Sequence, residues 1–120
     1  MNSIIKIFSE NNKINDYIEN IKNKVSPITL LGLTDVSKVC MSYIAKELNK
    51  KPICIITYNE IQAKKLINDL KYFNENIVYI PKKEIVTYDY IAESKDLLYE
   101  RIEAINRIYI EKADIVVTTI

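Results

Sequence analysis

The sequence predicts an α/β fold in which a parallel sheet carries helices on both faces. Short apolar runs without polar alternation mark the strands, and amphipathic stretches of about 10 to 16 residues separate them. Strands that are apolar on both faces are typical of parallel sheets, whose two faces are both covered. The crossovers between successive strands are expected to be right-handed.

The first predicted element is an amphipathic helix over residues 13–24, because Ile14, Tyr17, Ile18 and Ile21 recur at helical spacing. That pattern stops before Pro27. Four strands follow, and the apolar runs place them at residues 28–31, 52–58, 77–80 and 114–119. Pro52 is tolerated because it is the first residue of its strand.

Three helices are predicted between these strands from residues at helical spacing. In chain order, the first has one face made of Val36, Cys40, Tyr43, Ile44 and Leu48; the second is lined by Ala63, Leu66, Ile67, Leu70 and Phe73; and the third, with the longest helical pattern, contains Leu97, Leu98, Arg101, Ile102, Ile105, Ile108 and Tyr109. Residues 82–93 are predicted to form a connecting loop with a short turn.

The chain is expected to divide into an N-terminal helical segment, residues 1–26, and an α/β subdomain, residues 27–120. The apolar run Ile115–Ile120 stops where a buried strand would finish. We therefore expect the chain to be a fragment of a larger protein, with a subdomain that is incomplete at its C-terminal end.

Composition excludes several functional classes. With 17 basic and 16 acidic residues, the chain lacks the broad basic field on which nonspecific DNA binding relies. It has no histidine, and Cys40 and Cys54 are far apart, so we expect no metal site. Both cysteines are predicted to be buried and reduced, in a cytoplasmic protein. No apolar run approaches the roughly 20 residues of a membrane span.

The segment after the first predicted strand has the layout of a phosphate-binding loop, G-x-x-x-x-G-K-[ST], between a strand and a helix. Gly32 opens the pattern, and Lys38 occupies the lysine position that meets phosphate oxygens. In an α/β sheet such a loop is expected at the carboxyl ends of the strands, where ligands bind. Gly32, Ser37 and Lys38 are therefore the candidate nucleotide-binding residues.

Two departures predict that this loop does not bind Mg²⁺·ATP. Ser37 replaces the second glycine and brings a Cβ to a position where the backbone approaches an anion. Val39 replaces the hydroxyl residue that coordinates Mg²⁺, and Asp35 adds a charge that repels phosphate. Thr34 and Asp35 are expected to cap the following helix.

An ordered series of short motifs resembles the N-terminal module of the transcription-repair coupling factor family and, through it, the first helicase-type domain of the excision-repair protein UvrB. The resemblance covers residues 28–120. The motifs are Leu31–Asp35, Lys51–Glu60, Gln62–Leu66, Tyr79–Pro81, Tyr88–Asp89, Glu93–Ser94, Leu98–Arg101 and Val116–Thr118. UvrB keeps an intact phosphate loop, whereas coupling factors have a degenerate one, as this sequence does. The short segment between Tyr79 and Glu93 is likewise similar to coupling factors.

The resemblance implies a P-loop, helicase-like fold similar to UvrB domain 1a, and a parent protein that is an ATP-dependent DNA translocase. Such a parent displaces stalled RNA polymerase and recruits UvrA in nucleotide excision repair. It implies that this fragment is not an enzyme and needs no cofactor, with ATP and Mg²⁺ bound only at distant motor domains. It also implies autoinhibitory contacts with other domains of the parent, UvrA binding through an adjoining subdomain, and binding of polymerase and double-stranded DNA elsewhere in the parent.

Two alternatives stay open from the residues themselves. The chain is either a weak nucleotide-binding domain that still accepts a polyphosphate at the Gly32 loop, or a single-stranded nucleic-acid-binding domain. The second alternative would use Lys82 and Lys83 together with Tyr88 and Tyr90, because bases stack on aromatic side chains near cations. The simpler role for these tyrosines, with Asp89 between them, is to pack over the sheet beside a turn.

Overall fold

A computed structural model describes residues 3–74, 76–82 and 95–120, excepting the side chain of residue 4. It forms two compact units, Met1–Lys51 and Pro52–Ile120, and each is considered by itself. The predicted division between residues 26 and 27 stays a prediction. The predicted loop at residues 82–93 lies, apart from Lys82, outside the described residues.

The first unit is helical, with α1 at Ser3–Phe8, α2 at Asn12–Lys22 and α3 at Asp35–Asn49. The helix predicted at residues 13–24 is thus confirmed within two residues. The buried side chains that hold the three helices together are Ile5, Ile18, Cys40, Met41 and Ile44. The hydroxyl of Tyr17 on α2 donates to the carbonyl oxygen of Met41 on α3 at 3.1 Å, so its burial between the helices leaves no unpaired hydroxyl.

The strand predicted at residues 28–31 is wrong. These residues have no regular secondary structure, and the side chain of Leu31 is 88% exposed. An apolar run becomes a strand only when its backbone pairs with a neighbouring strand. Within the described part of the chain, residues 26–33 form no backbone hydrogen bond with another segment. The prediction that Val36 lies on the packed face of α3 is also wrong, because its side chain is 70% exposed.

The second unit is an α/β sheet layer. Its elements are β1 at Ile53–Thr57, α4 at Glu60–Leu70, β2 at Ile77–Ile80, α5 at Lys95–Ile110 and β3 at Ile115–Thr119. The strands are parallel in the order β1-β3-β2, and Ile115 of β3 lies opposite both Ile53 and Ile77. The predicted α/β class with a parallel sheet is confirmed, with three strands among the described residues instead of the four predicted.

The two long helices of this unit cover opposite faces of the sheet. On one face, Ala104 and Ile108 of α5 pack with Val78, Ile80 and Val116. The alternate strand residues point to the other face, since side chains along a strand alternate. Those residues include the buried Ile77, Ile115 and Val117, and α4 packs on that face through the buried Ala63 and Leu70.

Both cysteines are free, and they differ in exposure. Cys40 is buried in the first unit as predicted, whereas Cys54 is exposed, so the prediction for Cys54 is wrong. Cys54 lies on β1, at the edge of the sheet, in register with Val116 and therefore on the α5 face. Because α5 packs chiefly over β2, the described residues leave this part of β1 uncovered.

Their reactivities are expected to differ strongly. Burial raises the pKa of the Cys40 thiol, so less of the reactive thiolate forms near neutral pH, and reagents cannot reach it. We expect a thiol reagent such as 5,5′-dithiobis(2-nitrobenzoate) to modify Cys54 rapidly and Cys40 only after unfolding. A Cys54→Ser variant that still reacts rapidly in the folded state would contradict the burial of Cys40.

Candidate functional site

The loop from Gly32 to Val39 is shaped by the backbone of Gly32. This residue has a φ of +72°, a left-handed conformation that glycine adopts without strain. A Cβ built at this position would meet no atom within 4 Å, so conformation accounts for the glycine better than space does. The next residue, Leu33, packs against the core of the first unit and fixes the start of α3.

Thr34 is the N-cap of α3, as predicted. Its Oγ1 accepts a hydrogen bond from the backbone N–H of Ser37 at 3.2 Å and lies 2.8 Å from Ser37 Oγ. The backbone N–H of Lys38 donates to the Thr34 carbonyl oxygen at 2.9 Å as the first helical bond. Two amides that a phosphate loop would turn toward its ligand therefore already have partners within the chain.

Lys38, the candidate phosphate contact, points its ammonium at Asp35. The distance from Lys38 Nζ to Asp35 Oδ1 is 3.4 Å, and both side chains are about half exposed. A pair of this exposure contributes little to stability, on the order of 0–1 kcal/mol. Its electrostatic consequence is local, because the carboxylate offsets the positive charge that an incoming phosphate would need.

Val39 on α3 is buried, with a relative exposure of only 2%. Val39 therefore has a packing role. In an active loop the same position carries a Ser or Thr whose hydroxyl binds Mg²⁺. The methyl groups of Val39 supply no oxygen ligand. Sequence reasoning identified the missing hydroxyl, and the burial of the replacement explains why an apolar residue stands there.

Removal of the cap is expected to weaken α3. Thr34→Ala leaves the Ser37 amide without its acceptor, and we expect it to lower the free energy of unfolding by about 1 kcal/mol. Thr34→Ser keeps the acceptor oxygen and serves as the matched control. Urea titration followed by circular dichroism measures both variants, and equal losses in the two would exclude the cap as the cause.

The carboxyl edge of the sheet in the second unit carries a separate polar group of residues. Glu60 and Lys64 on α4 form an ion pair at 2.7 Å, in which Lys64 lowers the pKa of the Glu60 carboxyl. Burial raises the pKa of the nearby Tyr79 phenol. Because the two charges of the pair compensate each other, they do not form a cationic site for a triphosphate. The predicted placement of the Gly32 loop at this edge stays a prediction.

The proposed nucleic-acid site is described at one residue only. Lys82 is exposed, while Lys83, Tyr88, Asp89 and Tyr90 lie outside the described residues. Across residues 3–74, 76–82 and 95–120 there is no cluster of three or more His, Cys, Asp or Glu side chains placed to hold a metal ion. The same residues contain no helix with the length and apolar character needed to cross a bilayer.

Comparison with known proteins gives a relative for the whole chain. The chain is 29% identical over 123 aligned residues to the transcription-repair-coupling factor of Bacillus subtilis (strain 168). The alignment covers 100% of this chain and 10% of that protein, so the chain spans about a tenth of its relative's length. No protein-family profile matches the chain. No solved structure matches it either.

The whole-chain similarity indicates a distant relationship to one region of the coupling factor. It includes residues 1–27, for which the sequence motifs gave no resemblance.

The exposed apolar side chains of α5 in the second unit were not predicted from the sequence. The helix α5 carries apolar side chains on two adjacent lines, more than its contact with the sheet uses. The signal was present in the sequence, because the predicted apolar positions of this helix span more than one face.

Proposed function

We propose that the chain is a non-catalytic, UvrB-like N-terminal domain of a transcription-repair coupling factor. In this proposal it is a helicase-type α/β scaffold within a cytoplasmic, ATP-dependent DNA translocase that displaces stalled RNA polymerase and recruits UvrA. The observation that carries the proposal is the alignment of the entire chain with a bacterial coupling factor.

The geometry of the Gly32 loop supports the non-catalytic role. The Ser37 amide is capped by Thr34, the Lys38 ammonium faces Asp35, and Val39 is buried. An ATPase of this type also needs an acidic Mg²⁺ motif and an arginine from a second motor domain. The proposal places ATP and Mg²⁺ in motor domains elsewhere in the parent protein.

Partners are assigned in the same proposal. The domain contacts other domains of the parent in an autoinhibited state, and UvrA binds through an adjoining subdomain. RNA polymerase and double-stranded DNA are bound by other domains of the parent. The near balance of basic and acidic residues supports a scaffold that does not itself bind DNA.

The proposal is tested in cells by disrupting the gene that encodes this chain. We expect repair of ultraviolet lesions in the transcribed strand to slow to the rate of the nontranscribed strand. The nontranscribed strand is the internal control, because global excision repair does not require a coupling factor. Strand-specific repair that persists after disruption would overturn the assignment.

Nucleotide binding by the chain itself is tested by calorimetry with Mg²⁺·ATP. The proposal predicts no heat of binding at millimolar nucleotide and no hydrolysis above buffer. Saturable binding that Lys38→Ala abolishes would favour the weak nucleotide-binding domain instead. A single-stranded DNA titration at low salt covers the remaining alternative, for which tight and salt-sensitive binding is required.

A further inference from the structure

We draw no further inference here: the strongest candidate, the exposed apolar surface patch that Ile102 and Ile105 of α5 form beside Ile56 of β1, carries none, because nothing in the described part of the structure shows what covers it.

Discussion

The double substitution Ser37→Gly/Val39→Thr, which restores the phosphate-loop consensus between Gly32 and Val39, is expected to destabilise the protein. It is not expected to create a Mg²⁺·ATP site. Val39 is buried, so Val39→Thr places a hydroxyl in an apolar environment at a cost of about 1–3 kcal/mol. Ser37→Gly adds about 0.5–1 kcal/mol, because glycine is unfavourable within a helix. The expected loss in the free energy of unfolding is therefore about 1.5–4 kcal/mol.

Nucleotide binding should stay undetectable in this variant because the Thr34 cap and the Lys38–Asp35 pair are unchanged. Calorimetry with Mg²⁺·ATP measures nucleotide binding, and urea titration measures the free energy of unfolding. Ser37→Gly alone is the control for the helix effect. If the double variant bound nucleotide with micromolar affinity and unchanged stability, Ser37 and Val39 alone would account for the inactivity of the loop.

The second large effect is expected at the centre of the sheet. Ile115→Ala removes a fully buried side chain from β3, where Ile115 lies opposite Ile53 on one side and Ile77 on the other. We expect a loss of about 2–5 kcal/mol, the range found when a large aliphatic side chain in a core is truncated to alanine. For a domain of this size, that is a large share of the total stability.

Ile56→Ala is the matched control, because it makes the same truncation on β1 at a side chain that is 64% exposed. We expect its effect to stay within about 0.5 kcal/mol. Hydrogen exchange of the Val116 and Val117 amides reports the sheet directly, and Ile115→Ala should accelerate their exchange. Similar losses in the two variants would contradict the assignment of β3 as the buried centre of the sheet.

The strands predicted correctly are those whose apolar pattern is matched by a neighbouring strand in the fold. β2 has the predicted bounds, and β1 and β3 begin one residue after their predicted starts. Residues 28–31 have the same apolar character, but the described chain contains no strand that pairs with them. Pairing depends on residues distant in sequence, and an apolar run does not encode which strand will be its neighbour.

The exposure of Cys54 on β1 and of the apolar side chains Ile102 and Ile105 on α5 has a similar origin. Periodicity shows that a residue is apolar and on which side of its element it lies, but burial depends on what packs against that side. At the candidate site, Thr34 was predicted correctly because capping depends on residues three positions apart. The burial of Val39 was not predicted, because it arises from tertiary packing, which the spacing of apolar residues along α3 does not reveal.

The strand order has a consequence for folding during synthesis on the ribosome. β1 and β2 are not neighbours, since β3 lies between them and pairs with both. During synthesis, β1 and β2 therefore emerge from the ribosome before β3, the strand that pairs with both of them. Until β3 leaves the exit tunnel, their backbone N–H and C=O groups stay unpaired and can bind other chains. This interval is when nascent chains are most vulnerable to misassociation, and chaperones would have the greatest influence during it.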